Sequence, residues 1–343
     1  MKKVTVITPC HNSKKYLGEC LESLENQTIG VENLEFILVN DASTDNTWDM
    51  ILEFEKKYPE SVIAINLPEN RRQGGARNEA LKYATGEYIA FLDSDDKALP
   101  ETYEKVYQRA IETDADIVQF NHCNYTTDWE ELCDNCKIEG VTELKDKISR
   151  KLFLMAEVLT MNHCSKLYRR KLLEESQAQF AEHRIYEEPA FVYPQMFYVK
   201  KVCCMKEAFY RIRMNEESTM HSEAKKSERL VDHPEVQMQV LRYMIAHRQL
   251  MMDYYDEIEF YFLKTYYVET LFFAGQGNMI LGVEYFKKMQ NNVKELFPEW
   301  RSNAYLQGEE IQNVKKILDT VYNIYSQEEL IALCRDVYRT MAG

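Results

Sequence analysis

The sequence predicts an α/β protein in which a Rossmann-like sheet, flanked by helices, is followed by a mainly α-helical C-terminal domain. Three observations carry this. Short β-rich runs alternate with amphipathic helical patterns through the first third of the chain. Each run ends in a polar or Gly-containing cluster. Beyond Ser222, Tyr, Leu, Met and Phe recur at three- and four-residue intervals, with Pro only at Pro234 and Pro298. At 343 residues the chain exceeds the usual size of one compact core. We therefore expect a domain over residues 1–222, made of two halves (1–120 and 121–222), and a helical domain over residues 223–343.

Taken in order, Val4 to Thr8 reads as a strand and Lys14 to Gln27 as a helix, with Leu17, Cys20, Leu21 and Leu24 on one face and Ser13 as its cap. Glu35 to Val39 is a second strand and Asp45 to Tyr58 a second helix. Val62 to Ile65, Gly74 to Ala84 and Glu87 to Leu92 continue as strand, helix and strand. A helix from Pro100 and a strand over Asp116 to Phe120 complete the series. Strands interleaved with helices imply right-handed crossovers and a mainly parallel sheet, whose ligand site lies beyond the carboxyl ends of the strands.

A formal charge of −14 and a pI near 5.1 exclude a general nucleic-acid binder, which needs a Lys/Arg-rich face. The apolar run after Met1-Lys2-Lys3 stops at His11-Asn12, short of a signal-peptide core, and no segment reaches transmembrane length. Nine Cys, an odd number at irregular spacings, fit a reducing compartment. The expected location is cytoplasmic. Cys133-Asp134-Asn135-Cys136 with His122-Cys123 upstream lacks the second well-spaced pair that a zinc site requires.

Four clusters coincide with strand ends: Pro9-Cys10-His11-Asn12, Asp41 to Asp45, Asn70 to Asn78, and Asp93-Ser94-Asp95-Asp96. One such cluster would be an ordinary solvated turn; four in register with strand ends indicate a site. In the last, an apolar strand runs into three carboxylates, which raise one another's pKa unless a cation neutralises them. Asp93 and Asp95 would share one side of an extended segment, and such hard oxygen donors suit Mg²⁺ or Mn²⁺. Gly74-Gly75 before a helix N-terminus would let phosphate approach the backbone, with Arg77 adding a charge-assisted contact.

The order ITPCHN, NDASTD, GGARN and FLDSDD resembles the family 2 glycosyltransferases, inverting enzymes of the GT-A fold that use nucleoside-diphospho-sugars. The resemblance covers roughly residues 3–100 and continues more weakly to about Ser222. It implies that Pro9 and His11 lie against the nucleotide, that Asp41 accepts a base N–H, and that Asn70 and Arg77 line the nucleoside and phosphate pocket. Asp93 would meet the ribose or the metal, and Asp95 the metal, a Mn or Mg divalent cation. The family more often has DDGSTD where this chain has Asn40-Asp41-Ala42.

Inverting transfer needs a base for the acceptor hydroxyl. Tyr186-Glu187-Glu188-Pro189 resembles the family's Glu-Asp motif, whose second acid is the base, so Glu188 and Glu187 are the catalytic candidates. Acids at a helix N-terminus would also suit the macrodipole alone. Lys166, in a segment like the family's Lys-Leu-Tyr, would face the diphosphate or acceptor. Arg213 and Ser218 would belong to a loop closing over the phosphates, and His221 reads as a surface histidine or an extra metal ligand.

The implied partners are a nucleotide diphosphate sugar, with uridine suggested by Asp41, and a saccharide or lipid-linked saccharide acceptor. Peripheral association at the inner face of the membrane and homo-oligomerisation through the C-terminal helices are further expectations. A sugar-phosphate nucleotidyltransferase would need a Gly-rich basic loop after the first strand, where Pro9 to Ser13 offers none. A nucleotide-binding scaffold would have no use for Asp93, Asp95 and Glu188 together, and glycoside hydrolysis leaves Arg77 unexplained.

Overall fold

A computed structural model describes residues 2–134, 136–214, 229–277 and 279–342. Ser218 and His221 fall outside these residues. The chain divides into two compact units, Met1–Ser218 and Thr219–Gly343.

In the first unit the expected alternation is present: β1 (Val4–Cys10), α1 (Lys14–Glu25), β2 (Leu34–Asp41), α2 (Thr47–Lys57), β3 (Val62–Leu67), α3 (Arg72–Leu81) and β4 (Tyr88–Phe91). Then come β5 (Lys97–Ala98), α4 (Thr102–Thr113), β6 (Ile117–Tyr125), β7 (Glu130–Cys133), β8 (Gly140–Glu143), α5 (Lys147–Met155), β9 (Lys166–Arg169), α6 (Arg170–Ser176), α7 (Glu188–Gln195) and β10 (Lys201–Arg213). Strands β1 and β2 are buried along their whole length, as strands covered on both faces must be.

The sheet runs β3-β2-β1-β4-β9-β6-β10-β5, with β7 added to β6 and β8 to β10. Its first four strands are parallel. The second half is mixed, because β9 inserts antiparallel between β4 and β6 while β6 and β10 are parallel. The expectation of a mainly parallel sheet therefore fails beyond β4. The short Lys166–Arg169 strand follows α5 and runs antiparallel to both of its neighbours, β4 and β6.

Two local expectations also change. Ser13 does not cap α1 through its side chain; its hydroxyl accepts from the His11 N–H at 3.1 Å and meets Ser94 Oγ at 2.7 Å. Residues 93–96 form a turn closed by Asp96 N–H donating to the Asp93 carbonyl at 3.0 Å, not an extended segment.

The second unit is helical, as expected. Tyr255–Phe262, a wide π-helical stretch over Leu263–Glu269 and Thr270–Gln276 follow one another directly, and Tyr266, Tyr267, Phe286 and Trp300 are among its fully buried side chains. Among the described residues no helix is long and apolar enough to cross a membrane.

Several non-glycine residues with positive φ follow the strand ends, including Asn12 (50°), Ala42 (52°) and Arg72 (59°). A left-handed Ala lacks the local hydrogen bonding that helps Asn there and costs about 1–2 kcal/mol. Part of that is regained in the unfolded-state entropy that Gly would add. Ala42→Gly is therefore expected to stabilise the protein by about 0.5–1 kcal/mol, read as a higher denaturant midpoint at unchanged slope.

Candidate active site

At the carboxyl end of the parallel strands, Arg77 joins two acids. Its guanidinium is 1% exposed; Nη1 donates to Glu187 Oε1 and Nη2 to Asp93 Oδ1, each at 2.6 Å. Its Cζ lies 5.2 Å from the centre of the Phe180 ring. Burial would lower its pKa, but the Asp93 and Glu187 carboxylates outweigh that and raise it. Arg77 is thus a fixed buried cation that joins the acid following β4 to the acid preceding α7, and not an open phosphate ligand.

The Gly-Gly pair serves the same junction. A Cβ on Gly74 would stand 2.1 Å from the Ala181 carbonyl oxygen, so glycine there lets α3 pack directly on the 180–181 backbone. Asn78 clamps this segment: Nδ2 donates to the Phe180 carbonyl at 3.0 Å, and Oδ1 accepts from the Phe180 N–H at 2.9 Å. Arg71 adds a fork to Glu182, its Nη2 lying 2.7 and 2.6 Å from the two carboxylate oxygens. The close approach is to protein backbone rather than to phosphate, and α3 begins two residues earlier than expected. Asn78 closes the Asn70 to Asn78 cluster but has no role of its own in the sequence reading, and Glu182 is not singled out there; they lie 104 positions apart.

This docking delivers the acid pair. Glu187 is buried against Arg77, whereas the Glu188 side chain keeps 35% of its surface accessible. Desolvation of its carboxylate, reinforced by the neighbouring Glu187 charge, pushes Glu188 up to about 8. The two acids therefore occupy different chemical situations, with Glu187 held by a cation and Glu188 open and easily protonated. Pro189 lies in the first turn of α7, as expected.

Among the three aspartates, Asp96 turns inward. It is buried, accepts from Tyr210 Oη at 2.8 Å and from the Arg213 N–H at 2.7 Å, and burial together with Asp95 and Asp93 raises its pKa well above the usual carboxylate range. Asp93 and Asp95 are partly accessible. Asp93 Oδ2 faces Cys164 Sγ at 3.6 Å. Cys164 in turn lies 3.2 Å from His163 Nε2, and His163 Nδ1 is 3.9 Å from Glu188 Oε1.

On the other side of β1, the Asp41 carboxylate accepts from the Arg71 N–H at 2.7 Å, and burial raises its pKa. His11 Nδ1 is 2.7 Å from the Asp41 carbonyl oxygen and 3.0 Å from Asn70 Nδ2. Pro9 is buried in β1, while His11 and Asn70 are exposed. These four residues form one rim.

Lys166 and Arg213 are not open to a ligand as expected. Lys166 is fully buried, its Nζ donating to Thr160 Oγ1 at 3.0 Å and to the Asn162 carbonyl, and burial pushes it down to about 7. Its role is to hold the loop that carries His163 and Cys164. Arg213 packs over Tyr16 and Tyr125 and pairs with Glu19 at 2.9 Å, its Nε donating to the Asp95 carbonyl at 3.0 Å. Cys136 is buried against Gln119, and among the described residues the Cys133–Cys136 stretch contributes to no cluster of metal-binding groups.

Two outcomes follow. Arg77→Met leaves Glu187 buried and uncompensated, so the first unit should lose about 3–5 kcal/mol, measured by chemical denaturation. A carboxyl raised from 4.5 to about 8 retains its proton in the folded state while the unfolded chain releases it, so stability falls as pH rises through this window. Glu188→Gln should therefore raise the melting temperature at pH 8 while leaving it nearly unchanged at pH 4.5, when both are measured in metal-free buffer.

Residues 5–176 match the model of the family described as Glycosyl transferase family 2. Among curated relatives, a poly(ribitol-phosphate) beta-glucosyltransferase of Bacillus spizizenii is 39% identical over 115 residues, 34% of this chain and 18% of that protein. Glycosyltransferase GlyA of Streptococcus pneumoniae is 28% identical over 230 residues, 63% of this chain and 31% of that protein. The chain spans less than two thirds of the length of the curated relatives it matches. Among solved structures, S. aureus TarS aligns over 98% of this chain and 55% of its own, with a TM-score of 0.65 at 20% identity. TarS 1-349 in complex with UDP-GlcNAc aligns over 98% and 89% with a TM-score of 0.58 at 19% identity. That likeness establishes a GT-A-like fold, and with the family match covering half of the sequence, the chain belongs to glycosyl transferase family 2.

Proposed function

We propose that the protein transfers a sugar from a nucleoside-diphospho-sugar to an acceptor hydroxyl by single displacement, in the synthesis of a cell-surface polysaccharide or glycoconjugate. The observation that carries this is the Arg77 bridge, which sets the acceptor-side acids beside the aspartate turn on one buried cation. Glu188 takes the acceptor proton: it is the accessible member of the pair, and its raised pKa lets it hold that proton near neutrality. Glu187 is the positioning acid.

The rim of Pro9, His11, Asp41 and Asn70 receives the nucleoside. The Asp41 carboxylate reads an imide N–H, which favours uracil, in keeping with the UDP-GlcNAc complex of TarS. A hydroxyl of a polyol phosphate or saccharide is the acceptor class, as the name of the poly(ribitol-phosphate) relative suggests. The donor set fits a hard divalent cation: Asp93 and Asp95 are accessible oxygen donors, whereas Asp96 is committed to Tyr210. Held by Asp95 and Asp93, Mg²⁺ or Mn²⁺ would take up the charge that develops on the diphosphate.

Incubation with a panel of nucleotide-sugars, Mn²⁺ and simple acceptors, scored as nucleoside diphosphate released, is expected to identify a UDP-sugar and to stop with chelator. Glu188→Gln should lower kcat by about a hundredfold or more with nucleotide affinity retained. Near wild-type turnover in that variant removes Glu188 from the base role, and full turnover in metal-free buffer removes the cation.

A further inference from the structure

The loop held by Lys166 places beside Asp93 two donors, His163 and Cys164, that sugar transfer does not use. Cys164 Sγ lies 3.2 Å from His163 Nε2 and 3.6 Å from Asp93 Oδ2, and the three donor atoms all fall within 4.8 Å of one another. A tetrahedral zinc-like ion, with metal–sulfur near 2.3 Å and metal–nitrogen or –oxygen near 2.0 Å, separates its ligand atoms by about 3.3–3.6 Å. The existing spacing is within a few tenths of an ångström of that along both edges that meet at sulfur. His163 and Cys164 are 3% and 5% exposed, so the donors are already ordered, while the accessible side of Asp93 leaves a way in.

A second observation is independent of the first. His163 Nδ1 is buried and has no hydrogen-bond partner, and the atom it faces is Glu188 Oε1 at 3.9 Å. When Nε2 binds a metal, Nδ1 must carry the proton, and a ligating histidine almost always donates that N–H to a carboxylate or carbonyl. A small rotation of the ring would make the bond. The ring is otherwise held by edge contacts to Phe91 and Phe180, with centroids 5.4 and 5.2 Å away. Arg77 occupies the opposite oxygen of Asp93 and so keeps Oδ2 turned towards sulfur.

We propose that Cys164, His163 and Asp93 form a binding site for a thiophilic divalent cation of the zinc class, which shares Asp93 with the hard-cation position at Asp95 and Asp93, with Glu188 as the carboxylate behind the histidine. Thiolate and imidazole donors favour Zn²⁺ or Co²⁺ over Mg²⁺, and the Cys164 thiol proton leaves to solvent as the metal binds. Occupancy recruits Asp93 and Glu188 together, so a zinc-class ion inhibits the transfer proposed above. Binding itself does not depend on that activity.

Chelator-stripped wild-type protein titrated with Co²⁺ should develop thiolate-to-cobalt charge-transfer absorption and tetrahedral visible bands. These should saturate at a single equivalent, and Zn²⁺ but not excess Mg²⁺ should bleach them. Cys164→Ser should lose the charge-transfer band and bind at least about tenfold more weakly, whereas Cys136→Ser should keep both. X-ray absorption of the zinc-loaded wild-type protein, which needs no variant to fold, should show one sulfur among nitrogen and oxygen ligands. A shell without sulfur or with more than one, a band that survives Cys164→Ser, or a band lost in Cys136→Ser overturns the proposal.

Discussion

The structure of the first unit depends on a buried guanidinium with a carboxylate on either side. Arg77 cannot be desolvated without counter-charges, because an unpaired buried ion costs several kcal/mol. The chain supplies them from two distant places, Asp93 after β4 and Glu187 before α7. That requirement sets where α7 begins, and with it the position of Glu188. It also separates the two acids: the one that satisfies Arg77 is buried, and the other is left partly accessible.

The rest of the site supports that junction. Gly74 removes the Cβ that would keep α3 from the 180–181 backbone, Asn78 pairs with both polar groups of Phe180, and Arg71 holds Glu182. Phe180 stacks on Phe191 at 4.1 Å, and Phe91 meets both edge-on. A polar clamp over an aromatic floor restricts the acid loop from two directions, so a small shift of α3 would move the acids relative to the aspartate turn. Positive φ at Asn12, Ala42 and Arg72 belongs to the same rim, where strain tolerated by a stable sheet lets loop atoms converge.

Electrostatics then divide the carboxylates by environment. Asp96 is taken into the core by Tyr210 and the Arg213 backbone. Asp93 is shared between Arg77 and Cys164. Glu188, desolvated and beside Glu187, holds its proton more tightly than an ordinary carboxyl. Acids that look equivalent in composition thus stand in three environments: buried and hydrogen-bonded at Asp96, shared between a guanidinium and a thiol at Asp93, and desolvated but partly accessible at Glu188.

Much was legible in the sequence because it is local. The α/β alternation from β1 to β4, the helical second unit, and the clusters at strand ends all follow from periodicity and turn chemistry within short windows. The resemblance carried the family. What the sequence alone could not supply was direction and partnership. Lys166 and Arg213 read as ligand-facing cations, but burial and neighbouring carbonyls, acids and rings turned both into supports. Gly74-Gly75 read as a phosphate cradle, although its close neighbour is the Ala181 carbonyl. The sense of β9 was hidden because a four-residue strand takes its direction from the edges it fits between. Local pattern determines which residues can stand at a strand end; pairing across about a hundred residues, decided by the cost of burying charge, determines which of them remain free to act.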